Sequence, residues 1–113
     1  MKIKLGVNLY DFLELHPNLL MVIGVIKKHC LEKDLPITIT SIKSDRKNIE
    51  RVSNTHETYR AIDIRSRDWK EKDVLEFVKW ANEEFKNIAA ITKTGEPLFA
   101  LYHNNHIHLQ VKH

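Results

Sequence analysis

The amino-acid sequence predicts an α+β fold in which a small antiparallel sheet packs with two main helices. Apolar residues recur at helical spacing in two long segments, and short segments of alternating apolar and polar residues indicate strands. The last strands follow one another without a helix between them, which favours antiparallel pairing. The 113 residues fit one domain, and no linker rich in Gly, Ser or Pro divides them. We therefore expect a single domain over residues 1–113.

The first main helix is predicted from Asn18 to Lys33. Pro17 suits its first turn because proline has no N–H that would be left unpaired there. A shorter helix is predicted just upstream, near Leu9 to Leu15. The stripe of the main helix that we expect to be buried consists of Leu19, Val22, Ile23, Ile26 and Cys30.

The second main helix is predicted from Trp69 to Phe85, with Asp68 as its N-cap. The polar stretch between the two main helices contains a further short helix, predicted around Arg46 to Val52. The apolar face of the second main helix is expected to consist of Val74, Leu75, Val78, Ala81 and Phe85.

Strands are predicted where β-branched and apolar residues alternate with polar ones. The turn through Thr94, Gly95, Glu96 and Pro97 is expected to join two of them. In the last strand, Ile107, Leu109 and Val111 share one face, which we expect to lie in the core. The predicted strands are Ile37–Thr40, Arg60–Arg65, Ile88–Lys93, Leu98–Tyr102 and His106–Lys112.

Composition and charge exclude several classes of protein. The net charge of +3 is small and the basic residues form no dense run, so we expect no nucleic-acid partner. The longest apolar run, Leu19 to Ile26, is far shorter than the roughly 20 residues of a membrane span, so we expect no membrane partner. The single cysteine, Cys30, forms no intrachain disulfide. The first residues do not resemble a signal peptide, and we expect a cytoplasmic monomer.

Histidines near the end of the sequence are the first candidates for chemistry. His106 and His108 are two residues apart on a predicted strand, so both imidazoles point to the same side, opposite Ile107 and Leu109. A His-x-His pair on a strand offers two nitrogen donors to one site. The polar outer face of an edge strand would show the same pattern, and both interpretations stay open at this point.

A second group of candidates precedes them. Asp63 lies on a predicted strand between apolar residues, and His56 lies in the polar segment seven residues earlier. An unpaired buried carboxylate is costly, although an ion pair of Asp63 with Arg60 or Arg65 would also account for it. Together, His56, Asp63 and His108 supply two imidazoles and a carboxylate, a ligand set that suits catalytic Zn²⁺ with one position left for water. His106 would stand beside the metal ion and move protons.

These residues resemble the zinc D-alanyl-D-alanine carboxypeptidases and L-alanyl-D-glutamate endopeptidases, a family that includes phage endolysins. The family shares its fold core with the hedgehog signalling domain and the lysostaphin-type peptidases. Its pattern is Ser-x-His-x-x-Gly-x-Ala-x-Asp, followed by a distant His, often within His-x-His. Residues 54–65 read Asn-Thr-His-Glu-Thr-Tyr-Arg-Ala-Ile-Asp-Ile-Arg, and residues 106–108 read His-Ile-His. Residues 39–44, Ile-Thr-Ser-Ile-Lys-Ser, are similar to the family segment Thr-Ser-Gly-Tyr-Arg-Ser.

The sequence departs from the family pattern at four positions. Asn54 replaces the Ser. Tyr59 replaces a Gly that permits an unusual backbone angle, so Tyr59 either adopts that angle at a cost or the loop follows another path. Lys43 stands where the family has an Arg that holds the substrate, and Lys lacks the bidentate geometry of Arg. Asn105 stands where many members carry a carboxylate base, and His106 is the replacement that the His-x-His branch offers.

The resemblance implies a hedgehog/D-Ala-D-Ala-peptidase-like fold and a zinc peptidase that hydrolyses peptidoglycan stem peptides. It implies Zn²⁺ on His56, Asp63 and His108, with His106 and Lys43 as catalytic residues. A phage lysis enzyme of this kind would act on the cell wall after release. One alternative is a zinc-bearing binding module without turnover. Another is a nuclease, since residues 103–106 read His-Asn-Asn-His, but the helix that such a motif needs does not follow.

Overall fold

The structure is a computed structural model, and it describes residues 1–4, 6–7, 9–42 and 59–112. These residues form an α+β domain with a small mixed sheet and three helices. The helices are α1 (Leu9–Leu13), α2 (Pro17–Glu32) and α3 (Glu71–Glu84). The strands are β1 (Lys2–Ile3), β2 (Thr38–Ser41), β3 (Ala61–Arg65), β4 (Ala90–Ile91), β5 (Pro97–Leu98), β6 (Ala100–His103) and β7 (His106–Gln110).

The main sheet has the strand order β1-β2-β3-β7-β6. The pairs β2–β3, β3–β7 and β7–β6 are antiparallel, as predicted. The prediction of an antiparallel sheet was wrong at one edge, where β1 pairs with β2 in the parallel sense. A strand of two residues is too short to show an alternating pattern, and its pairing depends on backbone hydrogen bonds from Lys2 and Lys4 to the carbonyls of Ile37 and Ile39.

Helix α2 forms for the reasons that the sequence gives. It begins at Pro17, and the five residues of its predicted stripe are all buried. The structure adds a cap, because Nδ1 of His16 accepts a hydrogen bond from the backbone N–H of Asn18 at 3.1 Å. Such a cap satisfies one of the N–H groups that a helix start leaves unpaired.

The start of α3 corrects one prediction. The N-cap is Lys70, without a side-chain cap bond, and Asp68 instead lies 4.0 Å from Arg65 in an ion pair. The predicted first residue, Trp69, is buried in a turn and its indole N–H donates to the carbonyl of Pro36. Because this ring is buried, residues 66–69 stay in the turn, and α3 begins at Glu71, two residues later than predicted.

The apolar face of α3 also differs from the prediction. Leu75 is 55% exposed, whereas Phe77, absent from the predicted face, is buried. Val74, Phe77 and Ala81 follow helical spacing, and Leu75 lies about 100° around the helix from Val74.

The predicted strands Ile88–Lys93 and Leu98–Tyr102 are shorter and divided. They pair with each other only through β4 and β5, which form a separate two-stranded sheet, whereas β6 pairs with β7 in the main sheet. The Asn82 side chain of α3 causes the division, since its Oδ1 accepts from the N–H groups of Phe99 and Ala100 and its Nδ2 donates to the Ala100 carbonyl. Phe99, fully buried, therefore separates β5 from β6.

One face of the main sheet belongs to the core and the other carries polar residues. Ile62, Ile64, Ile107 and Leu109 are buried in one cluster with the apolar stripes of α2 and α3. The alternate positions of β3 and β7 point to the opposite face. None of the described helices is both long enough and apolar enough to cross a membrane. The polar face consists of Asp63, Arg65, His106, His108 and Gln110, with His103 on the neighbouring strand.

Candidate metal centre

Asp63 and His108 meet at the middle of the sheet, where β3 and β7 pair. They are direct register partners in the antiparallel ladder. Nδ1 of His108 lies 2.9 Å from Oδ1 of Asp63. Only 16% of the Asp63 side chain and 15% of the His108 side chain is exposed. The structure therefore brings together two of the three residues that the sequence predicts as metal ligands.

His106 lies next to this pair on the same side of β7. Its Nε2 is 4.0 Å from the second carboxylate oxygen of Asp63, Oδ2. Its Nδ1 is 3.1 Å from Oδ1 of Asn105, in the turn that leads into β7. The His106 side chain is 34% exposed, about twice the exposure of His108. Asp63 thus faces both histidines of the His-x-His pair, one with each oxygen, and His106 is the one more open to solvent.

Gln110 is a residue of the site that the sequence analysis missed. Its Nε2 donates to the Leu98 carbonyl at 3.0 Å, which fixes the orientation of the amide. The amide oxygen Oε1 then faces Nε2 of His108 at 3.0 Å and must accept a hydrogen bond. The His108 ring consequently carries a proton on Nε2. No signal in the sequence marks Gln110, because its role depends on the carbonyl of a residue on another strand.

This hydrogen bond decides what His108 presents to Asp63. In a ring with a single proton, on Nε2, the atom Nδ1 presents a lone pair to a carboxylate oxygen. Two acceptors at 2.9 Å require a positive charge between them, and either a proton or a metal ion supplies it. A metal-bound histidine whose second nitrogen donates to an amide or carboxylate oxygen is a common arrangement in zinc sites.

The distance between the two donor atoms is slightly shorter than a tetrahedral zinc site requires. Zinc bonds of about 2.0–2.1 Å at tetrahedral angles place neighbouring donor atoms roughly 3.3 Å apart. The 2.9 Å between Asp63 Oδ1 and His108 Nδ1 is within a few tenths of an ångström of that separation. The two atoms would have to move apart by that amount to supply one nitrogen and one oxygen donor to a tetrahedral site.

The third predicted ligand, His56, and the predicted catalytic Lys43 lie outside the described residues. Within the described ranges, no three His, Cys, Asp or Glu side chains are grouped so as to hold a metal ion. The predicted site needs His56 as its third protein ligand.

Tyr59, just before β3, has a backbone angle that is unusual for a residue other than glycine. Its φ is 59°, in the left-handed region that favours glycine. Of the two alternatives, Tyr59 thus adopts the unusual angle. Two contacts hold it there: its hydroxyl donates to Oδ1 of Asp11 at 3.1 Å, and its carbonyl accepts from the N–H of His16 at 2.9 Å. The chain just before β3 is therefore attached to α1 and to the start of α2.

Two other ionisable groups, His29 and Cys30 of α2, have pKa values shifted by their surroundings. His29 of α2 stacks on Trp80 of α3, with ring centroids 3.7 Å apart and planes 7° from parallel. Burial, and secondarily the positive charge of Lys33, lower the pKa of His29 below its ordinary value. Burial raises the pKa of the Cys30 thiol to about 11, which keeps it protonated and unreactive. His16 caps the start of α2, and His29 packs α2 against α3.

Comparisons of the chain with models of protein families, with curated proteins and with solved structures found no match.

Proposed function

We propose that the protein is a zinc-dependent peptidase that hydrolyses peptidoglycan stem-peptide bonds of the L-alanyl-D-glutamate or D-alanyl-D-alanine type. As a phage endolysin it would act on the cell wall after release from the cytoplasm. The observation that carries the proposal is the arrangement of Asp63, His108 and Gln110. The amide of Gln110 leaves two acceptor atoms facing each other, and the proposal takes a metal ion bound by both atoms, instead of a second proton on His108, as the source of the positive charge.

Two further observations support the proposal. The residues that approach one another come from the two segments that carry the family resemblance, and they meet as register partners. Tyr59 adopts a left-handed backbone at the position of the family's glycine. A left-handed φ at a tyrosine costs about 1–2 kcal/mol. Such strain is retained where the path of the chain matters, and here the chain leads from the predicted ligand His56 to the ligand Asp63.

In the proposed mechanism each described residue has one task. Asp63 and His108 hold the metal ion, together with His56. Gln110 keeps the His108 ring in the orientation that directs Nδ1 at the site. When bound, zinc polarises the scissile carbonyl and lowers the pKa of a water molecule to about 7.

The remaining tasks are proton transfer and stabilisation of charge. His106 stands beside Asp63 and is partly exposed, so it can accept a proton from the attacking water and return it to the leaving amine. Lys43 would stabilise the negative charge that develops on the carbonyl oxygen. Asn105, which occupies the position of the family's carboxylate base, does not accept a proton and leaves this task to His106.

The proposal is tested by metal content and product analysis on one preparation. Elemental analysis should find one tightly bound zinc per chain in the wild type. Mass spectrometry of digested peptidoglycan should then show cleaved stem peptides. Asp63→Asn should lose both zinc and cleavage, whereas the control His29→Gln, which also removes one ionisable side chain, should retain both.

The same experiment separates the alternative of a binding module. Tight zinc without any cleaved stem peptide would identify a zinc-bearing binding module, and the absence of a base at Asn105 is the feature that favours it. A protein without tight zinc that still cleaves would contradict the metal centre itself. Retention of stoichiometric zinc by both Asp63→Asn and His108→Ala would do the same.

A further inference from the structure

We propose a second metal-binding site on the hairpin between β6 and β7, in which His103 and His106 bind a divalent cation such as Zn²⁺ or Ni²⁺. The two residues are register partners across the hairpin. Only Asn104 and Asn105 lie between them, and Asn104 has the positive φ of 40° that a tight two-residue turn requires. The turn therefore holds both imidazoles on one side of the sheet edge.

The separation of the two rings fits a shared metal ion. Their centroids are 5.4 Å apart. Two imidazoles bound to one zinc ion, with metal–nitrogen bonds of about 2.05 Å at a tetrahedral angle, have centroids roughly 5 Å apart. The two rings lie at that spacing without any rearrangement of the hairpin. Imidazole is a preferred ligand of zinc, nickel and copper.

Exposure and charge around the pair are compatible with a solvated ion. His103 is exposed and His106 is 34% exposed, so water molecules can complete the coordination. Asp63 Oδ2, 4.0 Å from Nε2 of His106, adds negative charge nearby. Arg65 is the register partner of His106 on the other side and opposes a cation, but its guanidinium is paired with Asp68 at 4.0 Å. We expect a weaker site than the proposed centre at Asp63 and His108, because only two protein ligands contribute.

The two proposed metal sites are coupled through His106. A metal ion at the hairpin occupies a nitrogen of His106, the residue to which the proposed function assigns proton transfer. Excess zinc should therefore inhibit the peptidase. This consequence rests on the proposed function, whereas binding at the hairpin does not.

The test titrates Zn²⁺ alone into metal-free protein by isothermal calorimetry. Wild type should show a tight and a weak binding event. His103→Gln should keep the tight event and weaken the other at least tenfold, and His108→Ala should keep the weak event. The control His29→Gln, which removes one histidine far from the hairpin, should match the wild type. His103 is exposed at the end of β6, next to the turn, so its replacement should leave the fold intact, as circular dichroism would verify.

The outcomes distinguish the two proposals. A weak event that His103→Gln leaves unchanged overturns the hairpin site, as does a wild type with only the tight event. A wild type with only the weak event, lost in His103→Gln, supports the hairpin site and contradicts the metal centre of the proposed function. If the wild type cleaves peptidoglycan, its activity should fall at high Zn²⁺ while that of His103→Gln does not. Equal inhibition of both proteins would refute the inhibitory role.

Discussion

Nδ1 of His108 and Oδ1 of Asp63 lie 2.9 Å apart although 45 positions separate the two residues in the chain. They connect β3, the central strand of the main sheet, with its neighbour β7. A cation bound by both side chains would link two distant segments in the folded state alone. Its binding free energy then contributes directly to the free energy of unfolding.

Removal of the metal should lower the melting temperature of the wild type. An ion present at 100 times its dissociation constant stabilises a protein by about 2.7 kcal/mol, which corresponds to roughly 10 °C in a domain of about 100 residues. Thermal unfolding followed by circular dichroism, with zinc and with excess chelator, measures the shift. His108→Ala should melt at the same temperature in both solutions. Identical wild-type curves, with metal loss verified, would contradict the prediction.

Replacement of His106 by Ala should separate metal binding from turnover. The content of tightly bound zinc should be unchanged, because His106 is not among the proposed ligands of the centre at Asp63 and His108. Cleavage should fall roughly a hundredfold or more, the usual size of a lost general acid–base contribution. Zinc analysis and stem-peptide cleavage on the same sample provide the measurement. Cleavage near the wild-type rate would show that another group moves the proton, with Glu57, outside the described residues, as the next candidate.

Much of the fold follows from local patterns. Helix α2 is predicted because one apolar stripe repeats over about three turns, and β7 because Ile107 and Leu109 alternate with polar residues. Both patterns express burial of one face, which a sequence records directly. The residue types, their spacing on predicted strands and the family resemblance together predict the approach of Asp63 to His108.

The remaining features depend on partners that the sequence does not display. Asp68 has the chemistry of an N-cap, but burial of the neighbouring Trp69 takes precedence and α3 starts later. The strand break at Phe99 depends on the side chain of Asn82, from a helix 17 residues earlier. Gln110 acts through the Leu98 carbonyl across the fold. Each of these features depends on a long-range hydrogen bond or on a buried ring. No periodic pattern in the sequence indicates such a contact.

Replacement of Gln110 by Met should weaken zinc binding by about 10- to 100-fold, the usual effect of losing a group that orients a metal-bound histidine. Met has similar length but cannot accept a hydrogen bond from Nε2 of His108. The Leu98 carbonyl also loses its partner, so some stability is lost as well, about 1–3 kcal/mol. Affinity is therefore measured by calorimetry well below the melting temperature, with ¹⁵N chemical shifts of His108 reporting which nitrogen carries the proton. Unchanged affinity and an unchanged tautomer would rule out the orienting role.

Glycine should be better tolerated than alanine at position 59. Both Tyr59→Gly and Tyr59→Ala lose the contact with Asp11, so their difference isolates the backbone. At a φ of 59°, glycine avoids a strain of about 1–2 kcal/mol, and the Gly variant should be the more stable by about 1 kcal/mol in urea unfolding.

Gly24 is a control for the comparison at position 59, because alanine should be favoured over glycine at position 24. It lies inside α2, is exposed, and an added Cβ would meet no atom within 4 Å. Gly24→Ala should therefore stabilise the protein by about 0.5–1 kcal/mol. A Tyr59→Ala variant more stable than Tyr59→Gly would show that the chain relaxes out of the left-handed conformation.

The stack of His29 on Trp80 should make stability depend on pH below neutrality. The pKa of His29 is lowered in the folded state, first by burial and then by Lys33, while Glu32 and Glu84 act in the opposite direction. In the unfolded chain the ring takes up a proton at about pH 6.5, before the folded protein does. The unfolded state thus binds more protons in the window between the two pKa values, and stability decreases as the pH falls through it.

His29→Phe keeps a flat ring on Trp80 without a titrating group. Its melting temperature, measured from pH 8 to pH 5, should fall less than that of the wild type, with the difference appearing below about pH 6.5. The other histidines are common to both proteins and cancel in the comparison, so parallel curves would show that His29 takes up its proton equally in the folded and unfolded states.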